Sequence, residues 1–238
     1  NPDDYRLIKK ISLRTRKVNI TCSRGFQAKQ NMPATKAEAW NRVLIKSQDF
    51  DRYHIKGQLN TFNWNRALRR YGDENLYNGD RILIAHRPIP RDLLKLRCIF
   101  TKEEMVFSDD ILGFKSEEIT NYLPYLAILN SSFAGYYLFK ISSQWYGGIK
   151  RETLRTYDLK SFPFPDADTH FPELIDLVNQ VMELKNNGKD TSELGKKIDD
   201  LVFDLYGLLD FEKEIIREFY QINVERKKDM VKEQDFLD

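Results

Sequence analysis

The sequence predicts an α+β fold, in which a mixed or antiparallel, β-rich domain at residues 1–165 is followed by a helical segment at residues 166–238. Short apolar runs separated by polar turns recur before Pro163, which is typical of strands. After Pro165 the apolar residues instead recur at the three- and four-residue spacing of helices. The charge changes at the same boundary. Residues 1–165 contain 28 Lys and Arg against 17 Asp and Glu, a net of +11, whereas residues 166–238 contain 10 against 19, a net of −9.

In the first region, branched and aromatic residues dominate the apolar runs, as they do in pleated and half-buried strands. The predicted strands lie at 18–22, 43–45, 81–87, 94–100 and 104–108. Asn78-Gly79-Asp80 predicts a turn before the third of these strands. Residues 121–142 are apolar on nearly all sides and predict one long buried helix, with Pro124 in its first turn.

In the second region, three helices each carry an apolar stripe. Their stripes contain Leu174, Leu177, Val178, Val181 and Leu184, then Leu194, Ile198, Leu201, Val202 and Leu205, and finally Phe211, Ile215, Ile216, Phe219, Ile222 and Val224. Such stripes are explained either by packing onto the first region or within a helical hairpin, or by an interface with another domain or subunit. Residues 161–165, "SFPFP", are expected to act as a hinge between the two regions.

Composition limits the class of protein. The sequence has no run of 18 apolar residues and no basic leader before an apolar stretch, so we expect a soluble cytoplasmic protein without a membrane partner. Cys22 and Cys98 are far apart, and the three histidines lack zinc-ligand spacing. We therefore expect two reduced thiols and no metal site.

Motifs for nucleophilic, phosphate-binding and metal-dependent catalysis are missing, and we assign no catalytic residue. The nearest approach to a nuclease site is "SDDILGFK", which contains Asp109, Asp110 and Lys115. Adjacent residues of a regular strand point to opposite faces, so the two carboxylates cannot both reach one metal ion from a strand. His54 and His86 have no carboxylate or nucleophile partner in the sequence and are expected to be structural or ligand-contacting.

Cations and aromatic residues cluster in the net-positive region, a pattern typical of nucleic-acid binding. The predicted DNA-binding residues are Arg14, Arg16, Lys17, Trp64, Arg66, Arg69, Arg70, Arg87, Trp145, Tyr146, Gly147, Gly148, Lys150, Arg151 and Arg155. Arg91, Lys95 and Arg97 extend the cluster around Arg87. The "WYGGIKR" loop at 145–151 is the favoured contact, and its Trp145 either faces DNA or fills the core behind the loop.

Four segments together carry a family resemblance. They are "WNRVLIKSQDFDRYHIKGQLNTFNW", "NGDRILIAHRP", "YLPYLAILNSSFAGYYLFKISSQWYGGIKRETLRTYDLKSFPFP" and "IDDLVFDLYGLLDFEKEIIREF". In this order they resemble the TaqI-like C-terminal specificity domain of adenine-specific DNA methyltransferases and type II restriction-modification enzymes. The resemblance covers about residues 38–220.

This resemblance implies a module that recognises double-stranded DNA, joined to a methyltransferase domain of the same polypeptide or to a partner subunit. In the family, that other domain holds S-adenosylmethionine and an N-P-P-Y or D-P-P-Y motif, and neither motif occurs here. Since the sequence starts at Asn1 without Met, we expect it to be part of a longer polypeptide. Two alternatives remain: a metal-dependent nuclease, and an interaction subunit that docks a partner through its C-terminal helices.

Overall fold

A computed structural model describes residues 2–13, 18–28, 41–63, 68–87, 95–142, 153–165 and 170–235. Its α-helices are α1 (Pro2–Leu13), α2 (Leu123–Asn130), α3 (Ser132–Ile141), α4 (Thr156–Lys160), α5 (Phe171–Asn186), α6 (Ser192–Leu205) and α7 (Asp210–Asp235). Its strands are β1 (Thr21–Arg24), β2 (Gln27–Ala28), β3 (Asn41–Ile45), β4 (Phe50–Asp51), β5 (His54–Ile55), β6 (Asn60–Asn63), β7 (Leu68–Arg70), β8 (Arg81–Ala85), β9 (Cys98–Thr101), β10 (Val106–Phe107) and β11 (Ile111–Lys115).

The central element is a four-stranded antiparallel sheet in the order β1-β11-β8-β9. Every residue of β8 is buried, because the sheet is covered on both faces. Ile82 and Ile84 of this strand contribute to a large core shared with the helices. Leu83 and Ala85 contribute to a second core on the opposite face. The period-two alternation of a strand thus divides the apolar residues between two cores.

Smaller sheets complete the β-structure. Strands β10, β3 and β6 form a three-stranded sheet in which β10 and β3 are parallel, and β2-β7 and β4-β5 form two antiparallel pairs. Leu44, Val106 and Phe107 of the three-stranded sheet lie in the second core. With the C-terminal helices, this arrangement confirms the predicted α+β class and its mixed sheets.

The predicted buried helix at 121–142 is instead two helices, α2 and α3, separated at Ser131. Ser131 has an extended backbone, and its hydroxyl accepts a hydrogen bond from the Ala134 amide at 3.4 Å. A serine at a helix N-cap satisfies an amide that the first turn leaves without a partner, so it favours a new helix start. Pro124 lies in the first turn of α2, as expected.

The C-terminal helices pack onto the sheet and α2. Leu174, Val178, Ile198 and Ile216, one or more from each of α5, α6 and α7, are buried in the same core as Ile82. The helical spacing predicted from the sequence is confirmed, and packing onto the first region accounts for much of each stripe. None of the helices within the described ranges is long and apolar enough to cross a bilayer.

Residues 161–165 do not form the expected hinge. Phe162 and Phe164 are 2% and 0% exposed. The Phe164 ring lies 5.6 Å from Phe114 of β11 and 5.4 Å from Tyr125 of α2. The Tyr206 hydroxyl donates to the Pro163 carbonyl at 2.8 Å. The segment is therefore a buried connection between the two regions, and the assignment of separate domains to them stays a prediction.

Polar contacts also join the two regions. Asp199 of α6 accepts hydrogen bonds from the Ser132 amide at 2.7 Å and from Lys95 at 3.0 Å. Lys10 of α1, a helix that the sequence analysis did not predict, pairs with Glu212 of α7. Some of the excess charge of each region is therefore neutralised by the other.

Asn130, the last residue of α2, is buried against the edge of the four-stranded sheet. Its side-chain carbonyl accepts from the Cys98 amide at 2.9 Å, and its side-chain amide donates to the Cys98 carbonyl at 3.0 Å. Asn130 thereby pairs with both backbone groups of a β9 residue, as a residue of a neighbouring strand does.

Both cysteines are free and buried, in agreement with the expectation of ordinary thiols. Burial raises the pKa of Cys22 to about 12 and also raises the pKa of Cys98. The thiolate is the reactive form, so neither side chain is a nucleophile at neutral pH.

Candidate nucleic-acid interface

An open cleft of about 340 Å³ lies at one end of the four-stranded sheet. It is lined by Arg24, Ser47, His86, Arg87, Asp109 and Asp110, and we call it the arginine cleft. Arg70 of β7 lies beside it and donates a hydrogen bond to the Gly25 carbonyl at 3.1 Å. The cleft thus collects arginines from three separate parts of the sequence.

Strand pairing positions these side chains. Arg24 ends β1, His86 follows β8, and Asp110 precedes β11, which lies between those two strands. The His86 amide donates to the Asp110 carbonyl at 2.8 Å, which continues the β8-β11 pairing by one residue. Side chains that are more than 60 residues apart in sequence are therefore held at the same end of one sheet.

Gly25 allows the closest backbone approach at the cleft. A Cβ atom at this position would lie 1.9 Å from the Phe107 carbonyl oxygen and 2.5 Å from that of Ser108. No real Cβ atom tolerates such distances, so any other residue would displace β10 or β1. Glycine is therefore required by space at the position next to Arg24.

Asp110 is occupied by hydrogen bonds from the protein. One of its carboxylate oxygens accepts from the Ser47 amide at 3.0 Å and from the Ser47 hydroxyl at 2.5 Å, and the other accepts from the Ser108 hydroxyl. These contacts join the β3 end to the turn before β11. Within the described ranges, no group of three or more His, Cys, Asp or Glu side chains is arranged to hold a metal ion.

His86 is a hydrogen-bond acceptor for Arg24. The Arg24 Nη2 atom lies 2.6 Å from His86 Nε2. A guanidinium has only donors, so Nε2 must be unprotonated. Burial lowers the pKa of His86 to about 4, and the positive charges of Arg24 and Arg87 act in the same direction, whereas Asp110 opposes them. His86 is therefore neutral at pH 7 and orients the Arg24 guanidinium.

Three arginines and two aspartates lie in or beside the cleft, which with a neutral His86 gives a net charge of +1. Burial lowers the pKa of Arg24, and the charges of Arg70 and Arg87 lower it further, while Asp109 raises it. Asp109 is 4.0 Å from Arg70, and both side chains are substantially exposed, so this ion pair is weak. An anion entering the cleft would relieve the repulsion among the arginines, and both a phosphate and a base edge with two acceptors suit a guanidinium.

Four predicted DNA-binding residues lie within the described ranges. Arg87 lines the arginine cleft, Arg70 lies beside it next to Asp109, and Arg69 is exposed on β7. Arg155 precedes α4 and makes an ion pair with Asp158 at 3.1 Å, and its pKa is raised by this hydrogen-bonded contact. Arg155 is the N-cap residue of α4, so it has a structural role whether or not it contacts DNA.

The other predicted residues lie outside the described residues, and their DNA contacts stay predictions. They are Arg14, Arg16, Lys17, Trp64, Arg66, Trp145, Tyr146, Gly147, Gly148, Lys150 and Arg151. Trp145 is one of these residues, so the choice between a DNA-facing and a core position for it stays open.

Two neighbours of Arg87 in sequence have internal contacts. Arg97 is 6% exposed, and its guanidinium donates to the carbonyls of Ser47, Phe50 and Arg87. Lys95 pairs with Asp199 of α6. Arg24 and His86 were not selected from the sequence as DNA-contact residues, because neither lies in a run of cations. His54, the other histidine considered, donates to Asn186 of α5 at 2.7 Å, which is a structural contact.

Two solved structures resemble this chain at low sequence identity. One is described as the HsdS subunit from Thermoanaerobacter tengcongensis. It is 10% identical, the match covers 86% of this chain and 51% of that chain, and the TM-score is 0.38. The other comes from work on complex assembly and conformational transition of the type I R-M system. It is 11% identical, with coverage of 92% and 52% and a TM-score of 0.37. This chain spans about half the length of each.

No family model matches the chain, and a search of curated proteins gave no significant match. Neither of the two structural descriptions names a TaqI-like type II enzyme. The type II assignment therefore stays a prediction.

Proposed function

We propose that this chain recognises a target sequence in double-stranded DNA as the specificity module of a restriction-modification or adenine-methylating system. The observation that carries this proposal is that Arg24 and Arg87 line one open cleft with Arg70 beside it. The cleft belongs to the region with a net charge of +11, which attracts a polyanion from a distance.

The arginines at the cleft have different roles in DNA recognition. Arg24 is held by His86 and reads a base edge or a phosphate in a fixed orientation. Arg70 and Arg87 are exposed and contact the DNA backbone, which contributes affinity without sequence information. A bidentate contact from an arginine to guanine discriminates against other bases by about 1–3 kcal/mol.

The partner of this module is a methyltransferase domain of the same polypeptide or a separate subunit. That partner supplies S-adenosylmethionine and the catalytic motif, neither of which has an identified site in the described part of this chain. The TaqI-like resemblance of the four sequence segments supports a type II arrangement. Methylation takes place in that partner, and the role of this chain is to select the DNA sequence.

The proposal is tested by the salt dependence of DNA affinity. Fluorescence anisotropy with a duplex is measured over a range of salt concentrations for the wild type, Arg24→Gln, Arg87→Gln and the control Arg217→Gln. Arg217 is an exposed arginine of α7 that pairs with Asp200. Each lost phosphate contact should reduce the slope of log K against log salt by about 0.9, whereas the control should keep the wild-type slope. Equal slopes and affinities in all four proteins would refute the proposal.

The alternative of a metal-dependent nuclease has less support. The hydrogen bonds that Asp110 accepts from Ser47 and Ser108 explain this carboxylate structurally. Incubating the chain with plasmid and magnesium distinguishes the two functions, since a recognition module leaves the plasmid intact.

The alternative of an interaction subunit is compatible with DNA binding. Leu209 and Phe211 at the start of α7 are 56% and 63% exposed, which leaves apolar surface for a partner. Size-exclusion chromatography with light scattering on a Leu209→Ser/Phe211→Ser variant tests this. Loss of a complex that the wild type forms would support docking through this surface.

A further inference from the structure

A second cavity lies where the sheet region meets the C-terminal helices. It has a volume of about 230 Å³ and is bounded by the β4-β5 turn, by Lys95 in the segment leading into β9, by the end of α2, and by the facing parts of α5 and α6. We call it the junction pocket. It is lined by Arg52, Tyr53, Lys95, Asn130, Val181, Lys185, Thr191, Ser192, Gly195, Lys196, Ile198 and Asp199. Its walls therefore come from both the basic and the acidic region of the sequence.

The junction pocket has an excess of positive charge. Arg52, Lys95, Lys185 and Lys196 line it, and Asp199 is the one carboxylate among its lining residues. Both oxygens of Asp199 are already occupied, one by the Ser132 amide and the other by Lys95. The charge of Asp199 is thus largely balanced within the protein, and three further cations face the same cavity.

Two ion pairs made by these cations are weak enough to be exchanged. Lys196 pairs with Glu193 at 2.8 Å, but the two side chains are 72% and 78% exposed. Lys185 lies 3.7 Å from Asp51, which is longer than a hydrogen bond. The Lys196–Glu193 pair is solvent-exposed and therefore contributes little to stability, and the Lys185–Asp51 pair is long, so an anion with several acceptor oxygens can compete for both lysines.

The backbone at the pocket supports a functional role. Tyr53 has a φ of 67°, and among the described residues it is the non-glycine residue with positive φ. A bulky residue pays a free-energy cost for this conformation, and such strain is concentrated at binding sites. The Tyr53 amide donates to the Cys98 carbonyl at 3.0 Å, which holds the β4-β5 turn against the pocket.

We propose that the junction pocket binds a phosphate group. Its volume is below the range of about 300–1,000 Å³ that is typical of sites for whole small molecules, and it suits a single tetrahedral anion. Lysines bind phosphate as mobile point charges, and an arginine adds directed donors. Two sources share this chemistry: a free phosphate anion, and a backbone phosphate of bound DNA. Binding of either would tie α5 and α6 to the sheet region.

The first arm of the test uses inorganic phosphate. Thermal unfolding is followed against phosphate concentration at constant ionic strength for the wild type, Lys185→Gln/Lys196→Gln and the matched control Lys189→Gln/Lys197→Gln. The control removes two exposed lysines next to the pocket that do not line it. Phosphate stabilises proteins in general, so the difference between the two variants is decisive.

Saturable stabilisation should appear in the wild type and the control, because a ligand that binds the folded state raises Tm. The pocket variant should need at least about tenfold more phosphate for the same effect, since hydrogen bonds to charged groups are the strong ones. The single variant Lys196→Gln should need an amount of phosphate between those of the control and the pocket variant. Because the Lys196 side chain is exposed, this substitution does not disturb folding. The same phosphate dependence in all of these proteins would overturn the proposal.

The second arm distinguishes the source of the phosphate by measuring the salt dependence of duplex affinity in the same variants. A DNA phosphate in the pocket predicts a slope lower by about 0.9 in the pocket variant than in the control. Equal slopes, together with a loss of phosphate binding in the first arm, assign the pocket to a free anion. The first arm requires no DNA binding, so a failure of the DNA-recognition proposal would leave it intact.

Discussion

Replacing Phe164 with alanine tests whether residues 161–165 are part of the core. The Phe164 ring is 0% exposed and lies 4.8–5.6 Å from the rings of Phe162, Tyr125 and Phe114. A buried Phe→Ala change costs about 3–5 kcal/mol, because apolar contact is lost and a cavity remains. For a domain of 150–250 residues, each kcal/mol lowers Tm by about 2–4 °C, so the expected decrease is roughly 6–20 °C.

Urea unfolding followed by circular dichroism measures this effect. Phe211→Ala is the matched control, since it removes the same atoms from a side chain that is 63% exposed. It should change the free energy of unfolding by no more than about 0.5 kcal/mol. If Phe164→Ala also cost less than about 1 kcal/mol, residues 161–165 would behave as an exposed hinge, and the packing described here would be wrong.

Three further predictions concern the arginine cleft. As pH falls from about 6.5 towards about 4, the unfolded chain takes up a proton at His86 before the folded chain does, so stability falls in this window. The stability difference between wild type and His86→Gln, measured by urea unfolding at each pH, should therefore change across the window and stay constant above it. Gly25→Ala should destabilise the fold by at least about 1–3 kcal/mol, since its Cβ would overlap the Phe107 carbonyl, and an unchanged unfolding midpoint would contradict this. Asp110→Ala should cost about 1–3 kcal/mol by leaving the Ser47 amide without its acceptor, and unfolding equal to wild type would argue against that structural role.

Much of the fold follows from local sequence patterns. Alternating or continuous apolar runs identified β3, β8, β9 and β10, and helical spacing identified α5, α6 and α7. Strand β11 was missed because Gly113 interrupts its apolar run. A Cβ at Gly113 would lie 2.7 Å from the Phe107 ring, so this glycine allows ring packing from the facing sheet. A tertiary contact of this kind leaves no periodic signal along the chain.

Two further differences concern helices. Helix α1 is rich in charge, and of its described side chains only Leu7 and Ile11 are fully buried, which gives a weak apolar stripe. The break between α2 and α3 depends on the cap at Ser131. Serine occurs in many local settings, so the sequence predicted one helix there and not two.

The candidate site was harder to predict than the fold. Sequence proximity grouped Arg87 with Lys95 and Arg97, yet Arg97 bonds to backbone carbonyls and Lys95 bonds to Asp199. Spatial proximity instead joins Arg87 to Arg24, which lies more than 60 residues earlier and is isolated from other cations in sequence. Strand order brings these two arginines together, and the cations of one sequence run are directed apart by the same topology.

The pairing of Asn130 with Cys98 affects how separate copies of the chain behave towards one another. Strand β9 is at the edge of its sheet, and an exposed edge offers free backbone groups that recruit strands of other molecules. The side-chain amide of Asn130 pairs with both the backbone amide and the carbonyl of Cys98, so a strand of another molecule cannot pair with the edge at this residue. One asparagine at the end of a helix therefore contributes to keeping the protein from aggregating through strand addition.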